Sequence, residues 1–444
     1  MTLSPALSDI AALLCLLSIL LVPVAVAGLS LINTGLGRSR SASHMMLSSL
    51  CLASVAALIY FAFGFAWQGS AGGPSYQFFI NGRGWNWIAT GSFFFRRIDL
   101  DGSPASLAAL LGMVSVALAA LIPLGASSDR WRLGAACAST VLLAGWTFPL
   151  FAHWVWGGGW LAQLSGLDGL GHGFVDAGGS SAIQVVGALT ALSMAWILGP
   201  RRGKYTVEGM PSAIPGHNSV LVSLGCILAL IGWIGLNSAG ALLFAGATPG
   251  TTVRIAMNTF LSAAAAGLMA AAITRVRFAK PDASLTANGW VGGLAASSAA
   301  CAFVVPAEAV VIGGIAGALV VFSVEWFELR LGVDDPAGAI SVHGVAGLWG
   351  ILAVGFFANF APPGTALNGQ ASPTASGQWL AQLVGIATLI GFVLPLTYGL
   401  NWLLNRFYPQ RVSPEGERQG MDLYELGAGA YPDFMTHGDD FSQR

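Results

Sequence analysis

Two polar side chains that could act on a small solute stand in stretches that are otherwise small and apolar. His343 lies in the run 338–348, and Gln184 lies in the run 179–189. An imidazole can accept and donate a proton, whereas an amide offers a hydrogen-bond acceptor and a donor but does not titrate. Such groups are costly in an apolar interior unless they face a cavity or a partner. For His343 we therefore weigh a place on a solute path against a simple bond to a neighbouring helix.

Three further side chains could serve a cation. Asp176 stands just before the Gln184 run, where its carboxylate could cap the start of a helix and also set a negative field. Trp156 and Trp233 lie near the predicted outer ends of two apolar stretches. An indole face can hold a cation with about 0.5–2 kcal/mol, although composition alone favours ordinary tryptophans of a membrane interface.

The composition is that of a membrane protein. Of 444 residues, 55% are hydrophobic and only 9% are charged, and 59 glycines suit close helix–helix approach in lipid. With a net charge of −1 and no basic patch, the chain does not resemble a nucleic-acid-binding protein. No nucleophile–base pair, phosphate-binding loop or metal-ligand cluster is visible, so we predict no enzyme activity, catalytic residue, metal site or cofactor.

Eleven stretches are long and apolar enough to cross a bilayer, since a crossing takes about 20 residues. The fold class predicted is therefore an all-α polytopic membrane protein with a transmembrane region at 1–405 and a tail at 406–444. The predicted spans are 8–30, 45–67, 104–126, 133–155, 179–199, 217–240, 251–273, 285–303, 306–325, 338–360 and 378–405.

The basic residues orient these spans. With the N-terminus outside, only four of the 19 lysines and arginines lie outside, namely Arg83, Arg96, Arg97 and Arg254. This distribution predicts a cytoplasmic C-terminus in a cell (inner) membrane.

The run 25–27 also resembles a signal-peptidase site, but no basic residue precedes it, so an uncleaved first span is favoured. The outer loop 68–103 is rich in aromatics, which fits either a partly ordered cap or an aromatic belt.

Predicted spans five and ten echo each other. Each places one polar side chain, Gln184 or His343, five residues after a glycine. With five spans in each unit, the second copy enters the membrane upside down, which predicts inverted repeats at about 8–199 and 217–360 followed by span eleven. A solute path at the interface of such repeats would bring Gln184 and His343 face to face near mid-membrane.

Several segments in the same order resemble the ammonium transporter family (Amt/Mep/Rh). The resemblance runs from Asp9 to Tyr431. The segments are AHWVWGGG at 152–159, DAGGS at 176–180, GPRRGKY at 199–205, PGHN at 215–218, GWIGLN at 232–237, VDDPAGAISVHGV at 333–345 and MDLYELG at 421–427.

The resemblance implies a homotrimer with a narrow pore for ammonium or ammonia in each subunit. Trp156 resembles the tryptophan of the outer recruitment site, Asp176 the aspartate that supports it, and His343 the second of two pore histidines. Trp233 is a further tryptophan that this sequence retains at the expected substrate site. A signalling protein of the trimeric P-II type is the partner implied at the cytoplasmic face, although no residue here identifies that contact.

The sequence also departs from the family's pattern inside the pore. Gln184 stands where the family has its first pore histidine, so a histidine-to-histidine proton relay is broken. Ser115 and Leu236 stand at the two gate phenylalanines, and Gly240 stands at a serine that helps to bind the cation. Leu426 replaces the usual histidine of the tail.

These departures leave three functions open. The chain could transport ammonium while water carries the proton, which is the interpretation that the resemblance favours. It could conduct another small amine or an uncharged solute through a widened upper pore, or it could sense ammonium without conducting it. A sensor would bind tightly and show negligible flux, and no segment of the sequence resembles an output domain.

Overall fold

The computed structural model of the protein describes residues 3, 6–80, 82–360 and 376–431. Within them the chain forms eleven long helices, so each predicted span corresponds to one helix, while tail residues 432–444 lie outside the described residues. The helices are α1 (Asp9–Leu36), α2 (Ser39–Gln68), α3 (Pro104–Ala126), α4 (Leu133–Trp156), α5 (Ser180–Leu198), α6 (Ser219–Phe244), α7 (Pro249–Phe278), α8 (Ala283–Ala300), α9 (Pro306–Leu331), α10 (Ile340–Phe357) and α11 (Gln378–Phe407).

Ten of these helices are long and apolar enough to cross a membrane, and α8 is the exception. It carries Asn288 and several serines, and every residue from Val291 to Ala300 is buried. Because α8 packs against α7, α9 and α10, it is lined by protein rather than lipid and needs less hydrophobicity. The prediction of a mainly α-helical polytopic membrane protein is confirmed.

Glycines let α1 and α6 pack backbone against backbone. A Cβ atom on Gly28 of α1 would lie 2.5 Å from the amide nitrogen of Ala229, and one on Gly232 of α6 would lie 2.2 Å from that of Ala25. No larger side chain fits at either position without moving a helix. The abundance of glycine therefore serves close helix–helix approach, as the composition predicted.

Helices α5 and α10 begin in the same irregular way. Each starts with a π-helical turn, Ser180–Val185 in α5 and Ile340–Val345 in α10. A glycine in the left-handed region precedes each turn, Gly179 with φ 97° and Gly338 with φ 66°. An extra residue in the helical ladder re-aims the side chains of the turn, and such turns are frequent at functional sites.

The outer loop between α2 and α3 contains a β-hairpin that the sequence analysis missed. Strands β1 (Ser75–Ile80) and β2 (Arg83–Ala89) pair antiparallel. Trp87 of β2 packs on Trp154 of α4 with ring centroids 4.8 Å apart, and the indole of Trp154 donates to the carbonyl of Trp87 at 2.8 Å. The loop is thus an ordered cap on the bundle.

A buried cluster of charges joins the loops on the opposite side. Asp334 accepts hydrogen bonds from the backbone N–H, Nε and Nη2 of Arg201 at 2.8–2.9 Å, and Arg201 Nη1 reaches Asp129 at 3.2 Å. Burial alone would raise the pKa of Asp334. The charge of Arg130 and the bonds from Arg201 outweigh it and lower this pKa to about 2. Asp334 therefore stays ionised at neutral pH and ties three loops together.

Replacing Arg201 by alanine is expected to destabilise the protein by about 3–5 kcal/mol, because Asp334 would remain buried and charged without its main partner. The measurement is thermal unfolding in detergent. The matched control is Arg277→Ala, whose ion pair with Glu325 at 2.7 Å is part-exposed and worth at most about 1 kcal/mol. An Arg201→Ala protein that melts with the control would contradict the assignment.

Candidate substrate pathway

Trp156 borders an outer cavity of about 470 Å³ that also touches Ser70 and Pro104. Its ring stacks on Phe244, with centroids 4.9 Å apart and planes at 7°. Its Nε1 donates to the backbone carbonyl of Asp176 at 2.8 Å. Phe244 of α6 thus covers one face of the indole, and Asp176, just before α5, binds its N–H group. Trp156 still borders the cavity.

The Asp176 carboxylate is fully buried and caps the π-turn of α5. Oδ1 accepts from the N–H groups of Gly179 and Ser180 at 2.8 and 2.9 Å. Oδ2 accepts from the N–H and the hydroxyl of Ser181 at 2.7 and 2.5 Å and from the N–H of Ala182 at 3.3 Å. Both oxygens are therefore committed to the turn that carries Gln184, and Asp176 reaches Trp156 only through its carbonyl group.

Gln184 and His343 meet, as the internal echo predicted. Both are buried, and Gln184 Oε1 lies 2.7 Å from His343 Nδ1. An amide oxygen only accepts, so Nδ1 carries the ring proton in this contact. Gln184 Nε2 is buried and has no hydrogen-bond partner among the described residues. The pair therefore keeps one unused donor in the middle of the bundle.

Trp233 lies beside this pair rather than at the outer mouth, so its predicted position near the end of span six was wrong. Its indole stacks on the His343 ring at 6.4 Å and 24°, and its Nε1 donates to Ser298 Oγ at 3.1 Å. The reason is that α6 continues to Phe244 and places Trp233 mid-helix. Phe244 takes the outer position that the sequence analysis missed, since an aromatic at a helix end cannot be told from a belt residue.

Ser115, Leu236 and Gly240 are buried and border neither the outer cavity nor the cavity at His343. A Cβ atom on Gly240 would lie 2.4 Å from the carbonyl oxygen of Ala177. The close approach of these backbones requires glycine here, so a serine would not fit without a shift. None of these three residues therefore lines either of the two cavities.

Two further cavities lie at or near His343. The first is narrow, about 10 Å³, with room for about one water molecule, and apolar residues such as Ile32 and Val291 line it. The second is an inner cavity of about 510 Å³ among the loops α5–α6, α7–α8 and α9–α10. Asn288 borders both. Asn288 therefore connects the narrow cavity at His343 with the inner cavity.

The sequence model described as the Ammonium Transporter Family matches residues 13–431. This chain belongs to that family. The ammonium transporter Amt2 of Archaeoglobus fulgidus is 35% identical over 424 residues, covering 92% of this chain and 85% of the relative. The ammonium transporter of Bacillus subtilis is 30% identical and covers 94% of this chain and 97% of its own length.

Solved structures give the same result. A protein described as a sensor Amt protein superposes with a TM-score of 0.83 at 27% identity, covering 94% of this chain and 98% of that one. Saccharomyces cerevisiae Mep2 superposes with a TM-score of 0.76 at 26% identity, covering 91% and 89%. The resemblance stated from the sequence motifs is confirmed, and the family consists of membrane transporters rather than enzymes.

Proposed function

We propose that this protein transports ammonium or ammonia through a path inside each subunit of a homotrimer. The observation that carries the proposal is the buried contact of 2.7 Å between Gln184 and His343, because His343 borders the narrow cavity that shares Asn288 with the inner cavity. Two polar side chains at this depth of a bundle are costly unless a solute uses them. That the listed relatives are named ammonium transporters supports the choice of solute.

In this proposal Trp156 and Asp176 serve the outer recruitment site, and the solute passes the centre as neutral ammonia. Trp156 holds the cation on the ring face that Phe244 leaves free, and Asp176 fixes both the indole and the turn that bears Gln184. Ser115, Leu236, Gly240 and Trp233 would line a closed segment between the Trp156 cavity and His343, and this segment opens during passage. Because the Gln184 amide does not titrate, water rather than a second imidazole carries the proton.

The rest of the assembly belongs to the same proposal. The chain is placed in the inner membrane with its N-terminus outside and its C-terminus in the cytoplasm. It divides into a transmembrane region, 1–405, and a tail, 406–444, and the matching π-turns of α5 and α10 support inverted repeats at 8–199 and 217–360. The cytoplasmic face is the surface that a P-II type protein would engage.

Ammonium flux into proteoliposomes tests the proposal, and no flux above that of empty liposomes would refute it. Trp156→Leu is expected to raise the half-saturating ammonium concentration about two- to thirtyfold, which corresponds to the loss of about 0.5–2 kcal/mol of cation–π attraction. Trp146→Leu, on the same helix but outside the cavity and 37% exposed, is the matched control and should leave this concentration unchanged.

Ammonium sensing is the second candidate, and one observation favours it. Among the solved structures considered, the sensor Amt protein has the higher TM-score and is covered almost completely. Sensing without conduction is also consistent with the buried positions of Leu236 and Gly240, which line neither the outer cavity nor the cavity at His343. It predicts tight ammonium binding, negligible flux and a partner at the tail. Flux of methylammonium or an uncharged solute in place of ammonium would instead assign the chain a different substrate.

A further inference from the structure

Asp335 is the counterpart of Asp176 in the second half of the chain. It stands eight residues before His343, as Asp176 stands eight before Gln184. Its Oδ2 accepts from the N–H of Ile340 at 2.7 Å and so caps the π-turn of α10. Unlike Asp176, Asp335 has one carboxylate oxygen without a partner: its Oδ1 atom is buried and makes no hydrogen bond to any described residue.

This unused oxygen belongs to a residue that borders the inner cavity. Asp282, which also borders the cavity, caps the N–H of Leu285, and the three other carboxylates there have cations of their own: Asp334 is paired with Arg201. The remaining pairs are Glu325 with Arg277 and Glu328 with Lys204. Asp335 forms no ion pair within the described part of the chain. A shielded carboxylate that lacks both a cation and a full set of hydrogen-bond donors is unstable unless a proton or a mobile cation joins it.

Two neutral side chains beside the cavity are also unpartnered. Ser341 is 1% exposed and Asn288 is 6% exposed, and both border the inner cavity. Neither side chain makes a hydrogen bond to any described residue, although buried polar groups are normally paired. Asn288 also borders the narrow cavity at His343, so this set of groups lies where the path widens.

We propose that Asp335, Ser341 and Asn288 bind a small ammonium-type cation at the inner end of the path. The carboxylate supplies the charge, and the hydroxyl and amide oxygens accept N–H bonds from the same cation. The proposal deepens the transport function and rests on it. The inner end of the path would then have its own cation site. This site differs from the outer site because its main group is a carboxylate, whereas the outer site uses the indole of Trp156.

The site should lose affinity in acid. The pKa of Asp335 is raised to about 6, mainly by burial and also by the charge of Asp334, although bonds from the N–H groups of Ile340 and Ala339 and the charge of Arg130 act in the opposite direction. Arg201 and Lys204 also border the cavity, but each is paired with a carboxylate. Protonation of Asp335 removes the negative charge, so cation binding should weaken as the pH falls through about 6.

Equilibrium binding of methylammonium chloride to the purified full-length protein tests the site, with Trp156→Leu present throughout to weaken the outer site. At pH 7.5, Asp335→Asn is expected to raise the dissociation constant about tenfold, which is the effect of losing one charge-assisted contact. Asparagine keeps the oxygen that caps Ile340. The matched control is Asp282→Asn, which borders the same cavity and keeps its cap on Leu285. It should change the constant less than twofold.

Binding by Asp335→Asn that equals binding by the control would overturn the site, even if the protein transports ammonium. Binding that depends on Asp335 but comes without any flux would support the site and refute the transport function. Should Asp335→Asn fail to fold, Ser341→Ala and Asn288→Ala give the same comparison, and normal binding by both would overturn the proposal.

Discussion

Asp176→Ala is expected to abolish ammonium flux and to lower the unfolding temperature, because the substitution leaves four backbone N–H groups and one hydroxyl without their acceptor. These donors belong to Gly179, Ser180, Ser181 and Ala182, all buried. Each unsatisfied buried group costs about 1–3 kcal/mol before relaxation. The turn that presents Gln184 would lose its fixed shape. Proteoliposome flux and thermal unfolding in detergent measure the two effects.

The control for this prediction is Asp282→Ala. Asp282 caps α8 with a single hydrogen bond to the N–H of Leu285 at 2.8 Å, so its loss should cost about 0.5–2 kcal/mol and leave flux nearly normal. If Asp176→Ala melts and transports like this control, Asp176 does not position the path. Asp176→Asn should be intermediate, since its oxygen can cap while its NH₂ group faces other donors.

Gln184→His is expected to increase the ammonium-evoked current at least about tenfold, which corresponds to about 1.4 kcal/mol in the limiting barrier. The present contact joins an amide oxygen to His343 Nδ1 at 2.7 Å, and an amide cannot pass a proton through itself. An imidazole in its place would restore two adjacent titratable rings. The measurement combines solid-supported-membrane current with uptake of labelled methylammonium, so that charge moved per solute is obtained.

Gln184→Leu is the matched control. It keeps a similar volume at the same buried position but removes the bond to His343, so neither current nor charge per solute should increase. If Gln184→His leaves the ratio of current to uptake unchanged, protons travel by another route or do not limit transport. The proposed role of Gln184 as a break in the relay would then be wrong.

The span pattern and the family were accessible from sequence because both depend on local signals. An apolar run of sufficient length crosses a bilayer whatever its neighbours are, and the motifs around Asp176 and His343 are contiguous. The pairing of Gln184 with His343 was also predictable, since the two positions repeat within one chain. Only α8 was poorly marked, because a helix surrounded by protein needs no apolar face toward lipid.

The tertiary structure decided which groups meet across helices. Trp233 stacks on His343 and Phe244 on Trp156 because α6 continues to Phe244, beyond the end at 240 that hydropathy predicts. The β-hairpin packs against α4, which the sequence alone does not reveal. The Oδ1 atom of Asp335 has no partner because Arg201 and Lys204 pair with other carboxylates. The sequence thus determined which segments must lie in the membrane, because the hydrophobicity of each segment alone decides this. Contacts between distant segments set the site, since hydrogen bonds and ring stacking need atoms within a few ångströms.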